Sequence, residues 1–209
     1  TLTVSQIRGT QGVVLYGDSE RDHPLYPGLS AEGASGALTP GADLIDLRQQ
    51  SGGHVLVDAG AANDTVLGGS VSATLVGGAG NDTVTGGTGG DLIIGDGALR
   101  IDRITGLARI EALNSAGTDT ITLGAGAGIV FGDQAVSANM AAWNGALPAT
   151  LSTAGAGAVD RITAGSGRNI LVGGGAADQI IATSTGAGSM IFGDGAELTL
   201  TGGLGQIQA

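Results

Sequence analysis

A nine-residue repeat is the feature that most constrains how this chain can fold. Residues 59–94 divide into four consecutive nonapeptides, and the last two, GGAGNDTVT and GGTGGDLII, follow the pattern GGxGxDxUx, in which U is a large aliphatic residue. The repeat resumes at residues 114–131 and again at residues 155–192. Glycine permits the positive φ angles of tight turns, whereas Thr, Val, Ile and Leu suit a pleated strand. Each nonapeptide therefore predicts a turn followed by a short strand.

An all-β fold follows from this pattern. Two nonapeptides close one coil with a strand on each side, and such coils stack at about 4.8 Å, the usual spacing between neighbouring strands. We therefore expect a parallel β-roll or β-solenoid of nonapeptide repeats with lateral insertions. Aromatic residues make up only 2% of the chain, so the interior is expected to be narrow and aliphatic. Position eight of the recognisable nonapeptides would fill it: Val66, Leu75, Val84, Ile93, Ile121, Val130, Ile162, Leu171, Ile180 and Ile191.

The periodic blocks also predict how the chain is organised. Residues 59–209 are expected to form the roll, interrupted by irregular insertions at 97–113 and 134–154. Residues 1–58 keep strand-like alternation without a clear repeat, so they predict either an N-terminal cap or degenerate coils.

The in-phase nonapeptides resemble the RTX (repeats-in-toxin) β-roll of type I-secreted bacterial proteins. In that family the position-six aspartate and carbonyl groups of the turns bind Ca²⁺ between successive turns on one edge of the roll. The resemblance implies Ca²⁺ as the bound ion. It implies two facing pairs of ligands, Asp64 with Asp82 and Asp160 with Asp178. It also implies one ligand on the opposite edge, Asp91, and one further ligand without a facing partner, Asp119.

A Gly-Asp pair follows an apolar strand at each interruption of the array. Three of these pairs contain Asp96, Asp133 and Asp194, which we expect to complete calcium sites there; a turn-forming role is the alternative for these and for the other aspartates. Position six is not aspartate in every nonapeptide. The exceptions all fall in alternate half-coils, which predicts one charged edge and one degenerate edge: Ala73, Gly128, Asn169 and Ser189.

The outward-facing strand positions predict one polar and one apolar side of the roll. Side chains alternate along a strand, so positions seven and nine point away from the interior. An apolar outer face of this size must be covered, and the insertions are the favoured cover, with a second chain as the alternative. On the apolar side these positions are Thr74, Val76, Leu92, Ile94, Ile129, Phe131, Ile170, Val172, Met190 and Phe192. The residues expected to cover them are Leu99, Ile101, Ile104, Leu107, Ile110, Met140, Trp143 and Leu147.

Composition and missing motifs argue against several function classes. The formal net charge is -11, with eight basic residues, which disfavours nucleic acid and anionic membranes as partners. No apolar run is long enough to span a membrane. Neither HExxH nor GxSxG occurs, and Ser19, Asp22 and His23 lie in a stretch typical of a surface loop. We therefore expect a protein that is not an enzyme.

The resemblance implies a secreted, extracellular protein of the bacterial cell surface. The expected function is a calcium-stabilised structural or adhesive repeat segment of a surface, matrix or surface-layer protein. Such a segment could also assemble into filaments by contacting other copies of itself through the apolar face or the roll ends. The alternative is the C-terminal secretion and folding module of a type I-secreted toxin, protease or lipase.

Overall fold

The computed structural model shows stacked β-strands throughout the part of the chain that it describes. The described residues are 3–4, 13–17, 40–102, 107–113, 115–137, 141–142, 150–182 and 188–199. They form 20 strands, numbered in chain order, and no helix. Accordingly, no helix among them is long and apolar enough to cross a membrane.

Two seven-stranded parallel sheets form the body of the fold, and the chain passes alternately between them. Sheet A contains, in spatial order, β1 (Thr3–Val4), β3 (Leu44–Asp46), β5 (Thr65–Leu67), β7 (Thr83–Thr85), β11 (Thr120–Thr122), β16 (Arg161–Thr163) and β18 (Gln179–Ile181). Sheet B contains, in the same direction, β2 (Val13–Tyr16), β4 (Val55–Asp58), β6 (Ala73–Val76), β8 (Asp91–Ile94), β12 (Gly128–Phe131), β17 (Asn169–Val172) and β19 (Ser189–Phe192). The expected all-β, parallel, solenoid-like architecture is therefore confirmed.

The register of the sheets keeps each repeat position opposite the same position of the next coil. Ile121, for example, pairs with Val84 on one side and with Ile162 on the other. The position-eight side chains of both sheets meet in one buried cluster, as predicted, and most of them are fully buried. The exception is the last coil, where Ile191 is 47% exposed because no strand of the described chain covers it.

The described residues near the N-terminus continue the two sheets. Strands β1 and β3 pair in parallel in sheet A, and β2 and β4 pair in parallel in sheet B. Of the two arrangements expected for residues 1–58, these strands fit degenerate coils.

The insertions are regular antiparallel sheets, not the irregular segments expected from the sequence. One sheet has the order β14 (Ala141–Ala142), β10 (Leu107–Glu111) and β9 (Ala98–Asp102), so it joins the two insertions. The other has the order β13 (Ala135–Ser137), β15 (Thr150–Thr153) and β20 (Glu197–Thr199). The glycine spacing of the repeat does not extend into these segments, which is why their strands were missed.

These insertion sheets cover the apolar outer face of sheet B. Leu99 and Ile110 of the first insertion and Leu151 of the second are buried in a second core, together with Ile94 and Phe131 of sheet B. The prediction that insertions cover this face is therefore confirmed for Leu99 and Ile110, while Leu107 is half-buried. Ile101 lies on β9 opposite Ala108. The other residues expected there lie outside the described residues: Ile104, Met140, Trp143 and Leu147.

The insertion layer is also tied to sheet B by a polar contact. Asp58 at the end of β4 is 7% exposed, and its Oδ2 accepts a hydrogen bond from the backbone N–H of Leu99 at 2.8 Å. The strands of sheet B from β4 to β17 are thus buried on both faces, whereas the outer face of sheet A bears exposed or half-buried residues such as Thr83 and Thr120.

Candidate metal centre

Six aspartates line the edge of the roll where strands of sheet B lead into strands of sheet A. Each occupies position six of its repeat, immediately before a strand of sheet A. Because position six has the same parity as position eight, its side chain points into the roll. We call this set the aspartate row: Asp43, Asp64, Asp82, Asp119, Asp160 and Asp178.

The row is held by hydrogen bonds that run from coil to coil. From Asp64 to Asp178, Oδ1 of each carboxylate accepts a hydrogen bond from the backbone N–H of the aspartate in the preceding coil. The pair formed by Asp82 and Asp119 illustrates this contact, with 2.7 Å between the amide nitrogen of Asp82 and Oδ1 of Asp119. The four other contacts are equally short or nearly so, at 2.7–3.0 Å. One carboxylate oxygen of each of these five aspartates therefore joins neighbouring coils.

The second carboxylate oxygen has a different environment. Oδ2 of Asp82, Asp119, Asp160 and Asp178 is buried and accepts no hydrogen bond from the described part of the chain. Asp82, Asp119 and Asp160 are themselves no more than 1% exposed. Burying an unpaired carboxylate costs several kcal/mol, so these oxygens require either a proton or a cation.

Glycines at position one of the turns leave space beside these oxygens. A Cβ at Gly77 would lie 2.6 Å from Oδ2 of Asp82 and 2.6 Å from the carbonyl oxygen of Gly95. The same arrangement recurs at Gly132, where a Cβ would lie 2.7 Å from Oδ2 of Asp160. Glycine thus lets a carboxylate oxygen and a carbonyl oxygen of the next coil face one position that a side chain would fill.

Burial raises the pKa values of three carboxyl groups in the middle of the row, those of Asp82, Asp119 and Asp160. It raises the pKa of Asp82 to about 6 and, helped by the neighbouring carboxylates of Asp96, Asp82 and Asp160, that of Asp119 to about 9. The pKa of Asp160 rises to about 7, again mainly through burial. The space beside Oδ2 of Asp82 and of Asp160 is shared with a backbone carbonyl oxygen, and a cation there would satisfy both oxygens at once.

The aspartates of the interruptions lie beside the row. Both oxygens of Asp96 are 3.0 Å from the backbone nitrogen of Gly117, and burial raises the pKa of Asp96 to about 7. Asp133 accepts from the N–H groups of Ala158 at 2.8 Å and Gly175 at 2.5 Å.

Asp133 completes a group of three carboxylates. One oxygen each from Asp133, Asp160 and Asp178 lies within 4.8 Å of the others. Burial also raises the pKa of Asp133, and the neighbouring charge of Asp178 adds to the effect. Three mutually repelling carboxylates in one buried place favour a bound cation.

On the opposite edge of the roll, the position-six side chains of Asp91 and Asn169 bond mainly to backbone groups. Asp91 accepts with Oδ1 from the N–H of Ala73 at 3.1 Å and with Oδ2 from the N–H of Gly87 at 2.8 Å, so both of its oxygens are engaged by backbone. Asn169 donates its side-chain amide to two carbonyls of its own turn, and its own Oδ1, a neutral oxygen, has no partner among the described residues. The expected difference between a charged and a degenerate edge is confirmed by this register.

The structure corrects the predicted grouping in two ways. Asp119 is not a single ligand, because it lies in the row between Asp82 and Asp160. Asp43 was missed, although Asp43-Leu44-Ile45 carries the aspartate and aliphatic spacing of the repeat, and it joins the row next to Asp64. The predicted pairs Asp64–Asp82 and Asp160–Asp178 are adjacent, as expected.

Asp194 and His54 lie away from the row. Asp194 is exposed at the end of the roll, so its role as a ligand stays a prediction. Ser19, Asp22 and His23 lie outside the described residues. Nε2 of His54 lies 3.2 Å from Oγ1 of Thr74, a contact typical of packing against the sheet.

The ligands that the row offers suit calcium. They are carboxylate and carbonyl oxygens, and the described site contains no histidine, while the chain has no cysteine. Hard oxygen ligands of this kind, several to an ion, are those that Ca²⁺ prefers. No family model, curated protein or solved structure matches this chain. The functional argument therefore depends on the carboxylates themselves.

Proposed function

We propose that this chain is a calcium-stabilised structural or adhesive segment of a secreted bacterial surface, matrix or surface-layer protein. The observation that carries the proposal is the aspartate row, in which Oδ2 of Asp82, Asp119, Asp160 and Asp178 is buried without a partner in the described chain. A fold that needed only turn-forming residues at these positions would not require five buried acids and one half-buried acid in one line. Their charge becomes favourable when cations lie between the coils.

The proposed mechanism couples folding to calcium. At low calcium the row repels itself and holds carboxylates without partners, which opposes stacking of the coils. Calcium then fills the sites outside the cell, where millimolar concentrations saturate even weak sites, and its binding energy becomes folding energy. A chain that folds only after export suits an extracellular role.

The direct test is a titration of the chelated protein with Ca²⁺, followed by far-ultraviolet circular dichroism. We expect a cooperative gain of β structure that chelator reverses and that Mg²⁺ at equal concentration does not produce, because Mg²⁺ dehydrates reluctantly. A β spectrum that is unchanged by chelator would overturn the calcium mechanism.

One observation also supports self-assembly into filaments. Met190 and Ile191 at the last strand of sheet B are 37% and 47% exposed, and Ile191 occupies an interior position of the repeat. Another copy stacked on this end would bury both. The outer face of sheet B offers less to a second chain, because the insertions already cover it. Concentration-dependent polymers in electron microscopy and light scattering would support end-to-end stacking.

The alternative, a secretion and folding module of a type I-secreted toxin, protease or lipase, shares the calcium mechanism. A catalytic domain encoded upstream in the same gene would favour it, and many further copies of the interrupted repeat would favour the structural segment.

A further inference from the structure

The three-carboxylate group lies where the second insertion leaves and rejoins the roll. Asp133 directly follows Gly132, at the point where the chain leaves sheet B for the insertion. Asp160 directly precedes β16, where the chain returns to sheet A. Asp178 comes from the next turn of the row, so the group joins three separate chain segments.

The group contains oxygens that the protein itself does not satisfy. Asp160 is 1% exposed, and its Oδ2 has no hydrogen-bond partner in the described chain. Oδ2 of Asp178 is buried without a partner in the same way. At Gly132 a Cβ would lie 2.7 Å from Oδ2 of Asp160 and 2.6 Å from the carbonyl oxygen of Gly173, so glycine keeps open the space between these oxygens.

Glycines also make room for the third carboxylate. A Cβ at Gly157 or at Gly174 would collide with the carboxylate of Asp133. Backbone N–H groups of Ala158 and Gly175 hold that carboxylate in place from both sides. Asp133 is therefore positioned beside the row by contacts to both the returning chain and the following turn.

We infer that Asp133, Asp160 and Asp178 bind one Ca²⁺ more tightly than the repeat turns do, and that this ion fastens the second insertion to the roll. The inference rests on the proposed function and adds a site that uses a residue outside the nonapeptide pattern. Three carboxylates give the site a higher ligand charge than a turn with two, which raises affinity for a divalent cation.

The expected structural effect lies in the insertion layer. Strands β13 and β15 belong to the second insertion, and Ala135 and Leu151 on these strands are fully buried in the second core. An ion that holds both ends of this insertion together lowers the conformational entropy of the insertion when the insertion is detached from sheet B. Occupancy of the site should therefore protect β13 and β15 more than it protects sheet A.

The first interruption provides a matched control. Asp96, like Asp133, is the aspartate of a Gly-Asp pair, but both of its oxygens contact the single N–H of Gly117. Among the described residues it does not join a group of three acids within 4.8 Å. Asp96→Asn and Asp133→Asn remove the same charge from equivalent points of the chain.

The experiment is calorimetric titration of Ca²⁺ into the chelated full chain, with amide hydrogen exchange in saturating Ca²⁺. For the unmodified protein we expect the tightest class of binding sites to hold one Ca²⁺ per chain. In Asp133→Asn this class should weaken at least tenfold, and exchange at residues 135–137 and 150–153 should become at least tenfold faster. Exchange at residues 83–85 should stay the same, and Asp96→Asn should keep the tightest class.

If Asp133→Asn does not fold, Asp178→Asn tests the three-carboxylate site instead. The asparagine side chain retains the oxygen that accepts the hydrogen bond from the N–H of Asp160. Loss of the tightest class in Asp178→Asn would uphold the site. An unchanged isotherm in a folded Asp133→Asn or Asp178→Asn, with calcium binding intact in the unmodified protein, would overturn this inference alone. Absence of calcium binding to the unmodified protein would overturn the proposed function as well.

Discussion

The two edges of the roll have the same repeat but different chemistry. On the aspartate edge, the carboxylates of Asp82, Asp119, Asp160 and Asp178 each accept a hydrogen bond from the backbone N–H of the aspartate in the preceding coil. The other carboxylate oxygen of each of these four is buried and has no partner in the described chain. On the opposite edge, position six is Ala73, Gly128 or Asn169 at three coils, and the strands still pair in register. Coil stacking therefore does not require aspartate. We infer that the aspartate row serves cation binding.

The largest expected effect is that of removing one charge from the middle of the row. Asp119→Asn would keep an oxygen acceptor for the N–H of Asp82 but replace the second carboxylate oxygen, Oδ2, with a neutral amide nitrogen. Because calcium binding stabilises the fold by mass action, we expect Asp119→Asn to lower the free energy of unfolding in saturating Ca²⁺ by about 3 kcal/mol. Urea unfolding with and without chelator measures this, and an unchanged calcium increment would contradict it.

The pH dependence of the metal-free protein should also separate the edges. Burial raises the pKa of Asp119 to about 9 but that of Asp91, on the opposite edge, to about 6. A group whose pKa is raised in the folded state stabilises the fold fully at pH values below its pKa in the unfolded chain. This stabilisation is lost as the pH rises through its pKa in the folded protein.

We therefore expect the β structure that remains in chelator to decrease as pH rises from about 4 to about 9, with the decrease above about pH 6 coming mainly from the aspartate edge. The measurement is far-ultraviolet circular dichroism of the chelated protein at several pH values, repeated with Asp119→Asn, which should flatten the upper part of the curve. Greater stability of the metal-free protein at the alkaline end would be inconsistent with buried carboxylates in the row.

A smaller effect is expected from adding a charge to the opposite edge. Ala73 lies next to Asp91 in sheet B and is fully buried, so Ala73→Asp would create two facing carboxylates there. We expect the variant to bind about one additional Ca²⁺ per chain and to be less stable in chelator, because the new charges repel. Calorimetric stoichiometry measures the gain, and an unchanged ion count would show that position-six charge alone does not make a site.

The smallest effect is expected at Asp91 itself. Both of its oxygens accept backbone hydrogen bonds, and an amide at this position keeps one acceptor. We expect Asp91→Asn to change the free energy of unfolding by only about 1 kcal/mol and to leave the calcium increment intact. A loss of calcium response as large as that of Asp119→Asn would remove the distinction between the edges.

The repeat pattern was sufficient to predict the strands of sheets A and B from residue 59 onward, the interior positions and the two unlike edges. These depend on local rules, since glycine determines the turns and parity determines which side chain faces inward. The insertion strands were not predictable in this way. Their antiparallel pairing joins β10 to β14 across the boundary between the two insertions, a contact that no local spacing encodes.

Five of the six aspartates in the row were singled out from the sequence, but the continuity of the row was not predicted. An 18-residue spacing links Asp64 to Asp82 and Asp160 to Asp178, whereas insertions separate Asp82 from Asp119 by 37 residues and Asp119 from Asp160 by 41. The row is continuous because each insertion leaves and rejoins the roll at the same edge. Asp43 was missed because its turn, LTPGAD, has Gly41 but not the glycine pair of the repeat, and it lies ahead of the recognisable nonapeptides that begin at residue 59.

The coil-to-coil hydrogen bonds of the aspartate row have a mechanical consequence. Each one runs from one coil to the next, so under tension along the roll they share the load with the sheet hydrogen bonds on that edge. In the described part of the opposite edge, Asp91 supplies one carboxylate contact between coils. The N–H groups of Asp91, Gly128 and Asn169 donate there to backbone carbonyls of the next coil at the longer distances of 3.1–3.3 Å. A roll pulled from its ends should therefore open on the opposite edge first and bend towards the aspartate row, so that the chain yields as a hinge before it unravels.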